Sequence, residues 1–314
     1  LIASLLATGC GDKKEAKYPN KPVTIIVPSA VGGTADIHAR LVAPYLEKAL
    51  GQQFVVVNKP GAGSAIGHRE IAHAKPDGYT IGIVATPESP VNTALRAKEA
   101  GYKNDDFALV ASFTRMPGAL QVMADGPFKN INDFVAYAKA NPGKLTIGVS
   151  SDAWMLHVLE LEQAFGIKLN PIVVKSGGEG NNALMGKHIM AHMGGSAFAA
   201  TGADKGIKAI LLTGGSKRIA ALPDAPTMLE LGHNISYEMI KAFAVPKGTP
   251  NEIVETLRNA MREISKNPEF AKKVEGSGEI FGYLDKPDLD SIYKQSCERI
   301  SAQIEKYRKA FVQQ

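Results

Sequence analysis

The chain is poor in the residues that carry thiol and metal chemistry. Its 314 residues include two cysteines, Cys10 and Cys297, and neither sits in a zinc or thiol-redox spacing. The seven histidines (His38, His68, His73, His157, His188, His192 and His233) show no metal spacing with a carboxylate partner. His188 and His192 are four apart, but they fall at a loop-to-strand junction and not on one helix face. No metal and no cofactor is therefore expected. A GxxxxGK(S/T) phosphate loop is missing, and Ser29, Ser150, Ser151 and Ser196 all lie outside any Gly-x-Ser-x-Gly turn. Lys59-Pro-Gly-Ala-Gly-Ser-Ala-Ile-Gly67 is only a loose relative of a dinucleotide turn, and reads as a glycine turn that lets a helix and a strand pack closely. Lys and Arg are scattered, with no basic run interleaved with aromatics, which argues against nucleic-acid binding. Beyond the first ten residues no apolar run approaches the length of a transmembrane helix.

What is present is an ordinary globular composition, 45% hydrophobic and 21% charged, so a packed core is expected. The length exceeds the usual size of one core and favours two domains. The net charge of +5 suits an anionic small ligand. Leu1-Ile-Ala-Ser-Leu-Leu-Ala-Thr-Gly-Cys10 reads as the tail of a secretory signal and resembles a bacterial lipoprotein signal. Cys10 would then carry the lipid, with residues 11–17 as a flexible tether to the membrane. Cys297 shares a helix face with Tyr293, Ile300 and Ile304 and is expected to be a buried structural thiol.

Along the chain the unit is strand, glycine-rich loop, helix, repeated. Residues 23–27 form a β-run, and a helix is expected over 35–50, with Pro44 kinking it or marking a restart. Strands at 109–113 and 119–123 are expected to be split by Met116-Pro-Gly118. A helix should start near Asn130, with Asp133 at the capping-box position, and another should end before Gly166. Alternating β and α runs argue for parallel sheets covered by helices, with ligand at the carboxyl ends of the strands.

Two of the βα turns stand out. The first is Val23-Thr-Ile-Ile-Val-Pro-Ser-Ala-Val-Gly-Gly-Thr-Ala-Asp36 and the second is Leu145-Thr-Ile-Gly-Val-Ser-Ser-Asp-Ala-Trp154. Each brings free backbone N–H groups, small hydroxyls and a helix N-terminus together, a seat for a carboxylate or phosphate. Gly32, Gly33, Ser150 and Ser151 would supply the contacts, and no titrating base is needed for binding alone. Asp36 and Asp152 fall at helix starts, where N-capping is their expected role. Enzymatic use of the glycine loops on phosphate is the competing reading.

Longer motifs add a resemblance. Tyr18-Pro-Asn-Lys-Pro-Val-Thr-Ile-Ile-Val-Pro28, Gly32-Gly-Thr-Ala-Asp36, Val57-Asn-Lys-Pro-Gly-Ala-Gly63 and Lys75-Pro-Asp-Gly-Tyr-Thr80 resemble substrate-binding proteins of the tripartite tricarboxylate transporter group, the Bug receptors. So do Asn141-Pro-Gly-Lys144, Ala221-Leu-Pro-Asp-Ala-Pro-Thr227 and Pro246-Lys-Gly-Thr-Pro250, in the same order. The resemblance covers residues 18–314. It implies a two-lobed, type II-like periplasmic-binding-protein α/β fold, each lobe a central sheet flanked by helices, with the ligand cleft between them. The implied boundaries are 18–119 plus 242–314 for one lobe and 120–241 for the other.

It also implies a non-enzymatic, monomeric receptor in the periplasm or on the outer face of the cell membrane. Such a receptor hands a small organic carboxylate to a permease of one large and one small subunit. A sensor that docks on a membrane signalling protein is the alternative. The implied ligand loops contain Ser29, Ala30, Gly32, Gly33 and Thr34, then Ser150, Ser151, Asp152 and Trp154. Further contacts are implied near Thr86, Lys175, Gly178, Gly194 and Ser196. Ser29 stands where the family usually has an aromatic, Asp152 and Trp154 where glycines and serines are usual, and Glu88 where small neutral residues are common. Trp154 would either wall the pocket or anchor the core. Glu88 would meet an ammonium or hydroxyl on the ligand, or face solvent.

Overall fold

The computed structural model describes residues 18–215, 217–235, 238–277 and 279–312. Cys10 and the rest of segment 1–17 lie outside the described residues. In chain order the first elements are β1 (Val23–Val27), α1 (Thr34–Leu50), β2 (Phe54–Asn58), α2 (Ala65–Ala72), β3 (Thr80–Thr86), α3 (Glu88–Leu95), α4 (Ala97–Ala100) and β4 (Phe107–Met123). There follow α5 (Ile131–Ala140), β5 (Thr146–Val149), α6 (Asp152–Phe165), β6 (Asn170–Val173), α7 (Gly177–Met185), β7 (Ala191–Gly195), α8 (Ser196–Ala200) and β8 (Ile207–Leu212). The last are β9 (Glu238–Pro246), α9 (Asn251–Ser265), α10 (Pro268–Gly276), β10 (Ile280–Leu284) and α11 (Asp288–Val312).

The protein is an α/β molecule of two lobes. In the first, β2, β1 and β3 run parallel, β9 pairs antiparallel with β3, and β4 pairs antiparallel with β9 and so runs in the direction of β3, with β10 antiparallel beside β4. In the second, β6, β5 and β7 are parallel, and β4 and β8 complete the sheet in antiparallel register. The expected parallel sheets are thus present in part, and each is mixed. Parallel order holds where helices cross over between strands, and the strands that link the two sheets break it.

The element responsible is β4. Residues 109–123 were expected to be two strands, yet β4 is a single strand of 17 residues. Its first part pairs with β9 and β10, and its last part with β7 and β8. Pro117 pairs with Glu238 at the end of the β9 ladder, and Gly118 opens the β7 ladder. A residue without a donor is tolerated where the ladder changes partner. A Cβ on Gly118 would lie 2.3 Å from Thr213 Oγ1 and 3.0 Å from Trp154 Cζ3, so a side chain is excluded there.

The β1 run is apolar and buried along nearly its whole length because helices cover both faces. On one face Phe113, Phe243 and Phe270 pack with α1, α9 and α10; on the other, Ile71 and Tyr102 pack with Tyr293 of α11. The second lobe buries Phe128, Phe134, Leu145, Met155 and Trp154. Helix α1 continues unbroken through Pro44 and ends at Gly51, which is left-handed at φ 71°. At α5 the Asn130 side chain accepts from Asp133 N, and Gly166 caps α6 at φ 61°, both in accord with their sequence contexts.

Helix α11 starts in the first core, through Leu289 and Tyr293, and ends against the second lobe. Ile300 and Ile304 pack with Ala153 and Leu156 of α6, and Lys306 Nζ donates to Gln163 Oε1 at 2.7 Å. No described helix is long and apolar enough to cross a membrane.

Candidate functional site

The loop after β1 is held by one carboxylate. Asp36 is the third residue of α1, and Gly33, not Asp36, occupies the N-cap. The Asp36 carboxylate reaches back to accept from Gly32 N at 2.9 Å, and also accepts from Arg40 Nε and Asn58 Nδ2, each at 2.9 Å. Asn58 Nδ2 donates as well to Ser29 O at 3.0 Å. Burial opposes ionisation of Asp36, but the hydrogen bonds from Arg40, Gly32 and Asn58 keep its carboxyl below its ordinary value. The result is a clamp on the Ser29–Gly33 backbone. Gly32 makes the turn at φ +79°, a conformation that a side chain would strain.

Loops from both lobes face one cleft of about 520 Å³. From the first lobe come Ser29, Ala30, Gly33 and Thr34, and Glu88 at the start of α3. From the second come Ser150, Ser151 and Trp154, and Lys175 with Gly177 at the start of α7. Four helix N-termini, those of α1, α3, α6 and α7, therefore open on the same space. The N–H groups of a first helical turn have no partner within the helix, and they carry the positive end of its dipole. Three buried side-chain atoms on the cleft wall, Ser29 Oγ, Ser151 Oγ and Glu88 Oε2, have no hydrogen-bond partner among the described residues. Buried polar atoms are otherwise almost always paired.

Other candidates lie elsewhere. Gly32 turns the loop without lining the cleft. Thr86 is buried at the end of β3, where its Oγ1 accepts from Ile240 N at 3.2 Å and ties β3 to β9. Asp152 forms an ion pair with Arg96, which links the start of α6 to the end of α3 across the lobes. Ser151, not Asp152, is the N-cap of α6. Gly178 lies one residue beyond the wall. Gly194 and Ser196 are buried in and after β7, with Gly194 packed on His192 and Gln121. Trp154 serves both roles considered for it: it lines the cleft, and it is 7% exposed within the second core. Its ring lies 5.0 Å from that of His157. Cys297 is half-buried, and burial pushes its thiol up to about 12.

Sequence reasoning missed part of the wall. The turn at 60–64, read only as a packing turn, contributes Pro60 to Ser64. Its backbone at Ala62, Gly63 and Ser64 has positive φ, and Gly63 O accepts from Asn92 Nδ2 at 2.8 Å. Phe198 and Met239 also line the cleft. As single apolar residues within a short helix (α8) and a strand (β9), they look in sequence like core. Among the described residues no cluster of three or more His, Cys, Asp or Glu side chains could hold a metal ion.

Residues 38–308 match the family described as "Tripartite tricarboxylate transporter family receptor". The chain belongs to that receptor family. It is 32% identical over 301 residues to a UPF0065 protein of Cupriavidus necator, covering 95% of this chain and 88% of that one. A solved structure described as a periplasmic transporter superposes with a TM-score of 0.86 at 30% identity, over 92% of this chain and 98% of that one. An R. palustris protein solved with adipate gives 0.85 at 25% identity, over 92% and 97%. The match to periplasmic solute-binding structures accords with the two lobes and the cleft between them.

Proposed function

We propose that this receptor captures a small organic carboxylate in the periplasm by closing its lobes on it, and delivers the solute to a tripartite tricarboxylate-type permease. The observation that carries this reading is the convergence of four helix N-termini and two unpartnered serine hydroxyls, Ser29 Oγ and Ser151 Oγ, on one interlobe cleft. Such a surface offers hydrogen-bond donors and positive dipole ends to an anion and needs no base of tuned pKa. The ligand residues in this reading are Ser29, Ala30, Gly33, Thr34, Glu88, Ser150, Ser151, Trp154 and Lys175. We assign residues 18–119 plus 242–314 to one lobe and 120–241 to the other; the change of partners along β4 supports the first boundary. Closure is favoured because the ligand touches both walls only in the closed form. In this reading the receptor is not an enzyme, and Cys10 carries a lipid that keeps it at the membrane. The adipate-bound relative supports carboxylate as the ligand class.

A thermal-shift panel of mono-, di- and tricarboxylates, amino acids and aromatic acids tests the reading. At a hundredfold excess over Kd a ligand adds about 2.7 kcal/mol of stability. An unfolding entropy of about 2.1 cal/mol/K per residue turns that into a rise of roughly 4 °C for a chain of this length. If no member of the panel raises the melting temperature, the assignment of the cleft is wrong.

A further inference from the structure

The cleft contains an acid that capture of a plain carboxylate does not use. Glu88 is the first residue of α3, and its side chain lines the cleft beside the loop after β1. Its Oε2 is buried with no partner among the described residues. Burial pushes the carboxyl up to about 7, against the opposing pull of its own backbone N–H and of Lys241. The charged and titratable groups around it are few. Lys241 of β9 is fully buried, but it is committed to an ion pair with Glu279, whose other oxygen faces His38 Nδ1 at 3.5 Å. The Tyr102 phenol feels the Glu88 charge, and its hydroxyl is already donated to Ser89 O at 3.3 Å. Lys175 belongs to the wall contributed by the other lobe.

Glu88 is thus a buried acceptor with no cation of its own, in a cleft whose remaining polar groups favour an anion. An unpaired buried carboxylate is costly, and a ligand that supplies a cationic donor removes that cost as it binds. A second ligand carboxylate at the same place would meet like charge. We propose that Glu88 selects a ligand bearing an ammonium group beside its carboxylate, with Glu88 Oε2 accepting from the ammonium while the Ser29 and Ser151 hydroxyls serve the carboxylate. This inference rests on the carboxylate-receptor reading of the same cleft, and it narrows the ligand to an amino-acid class.

Matched pairs test it on the full chain by calorimetry at pH 7.5: succinate against aspartate, glutarate against glutamate, adipate against 2-aminoadipate. In at least one pair the amino member is expected to bind about tenfold tighter or better, since a site built around a polar partner rejects the analogue that lacks it. Glu88→Gln keeps the shape and removes the charge, and should bring that pair to within about threefold, a loss of about 0.7 kcal/mol of discrimination or more. The proposal is overturned if the parent protein prefers the members without an amine, a result that needs no variant to fold. It is equally overturned if the glutamine variant keeps the amino preference. Binding without amino preference sinks this inference and leaves the carboxylate reading standing; no binding in either series sinks both.

Discussion

Gly67→Ala is a sharp test of how the first loop is positioned. Gly67 lies in α2, where the helix crosses the end of β1. A Cβ there would sit 2.6 Å from Pro28 Cα, 2.7 Å from Pro28 Cβ and 2.9 Å from Lys59 O. The obstacles are backbone atoms and a proline ring, so no rotamer change relieves them. Overpacking of this kind costs about 1–3 kcal/mol, and the rigid neighbours argue for the upper end. The helix itself gains about 0.8–1 kcal/mol when Gly becomes Ala. The net expectation is a loss of about 2 kcal/mol, or roughly 3 °C in melting temperature for a chain of this size. Because Pro28 and Pro60 both line the cleft, the ligand-induced rise in melting temperature should also shrink.

The paired control is Gly276→Ala at the exposed end of α10, where a Cβ meets nothing within 4 Å. That change should be neutral or stabilising by up to about 1 kcal/mol. Thermal unfolding of both variants by circular dichroism decides the matter. If Gly67→Ala melts at or above the parent temperature, the close approach of α2 to the loop is not what the geometry indicates.

Two further outcomes concern buried charge and pH. Lys241→Met should cost about 3–5 kcal/mol by leaving the Glu279 carboxylate buried beside His38 alone, and adding Glu279→Gln should recover much of the loss in urea unfolding; a single-variant cost below about 1 kcal/mol would refute the pairing. Burial is opposed there by Lys241 and His38, which hold the Glu279 carboxyl down to about 2. His68 is wholly buried, with Nδ1 3.2 Å from Tyr102 Oη and Ala85 N donating to Nε2 at 3.5 Å, and desolvation lowers its pKa from 6.5 to about 3. A depressed histidine contributes stability that is complete above 6.5 and is lost as pH falls toward about 3, so at pH 5 the loss is about 2 kcal/mol. The difference in unfolding free energy between pH 7.5 and pH 5 should therefore narrow by about that amount in His68→Gln, and an unchanged difference would count against the buried neutral imidazole.

Local physics is legible in the order of residues alone. The apolar run at Val23–Val27, the caps at Asn130 and Gly166, and the small residues of the turns at 29–34 and 150–151 follow from side-chain period and allowed φ/ψ, which act over a few residues. The family motifs carried the two-lobed fold. Tertiary structure alone decided which of these residues meet. Asp152 turned from a loop candidate into the partner of Arg96, 56 residues away, because α6 and α3 are brought together across the lobes. Asp36 clamps the loop from inside α1 instead of capping the helix, because Asn58 at the end of β2 and Arg40 one turn on complete its hydrogen bonds. Phe198 and Met239 reach the cleft only through the pairings that place β7 and β9 on either side of β4. The strand break expected at Pro117 is absent because the ladder changes partner there. Backbone preference is a property of neighbours in sequence. Membership of a site is set by register and side-chain direction across strands far apart in the chain, and no single stretch of sequence records those.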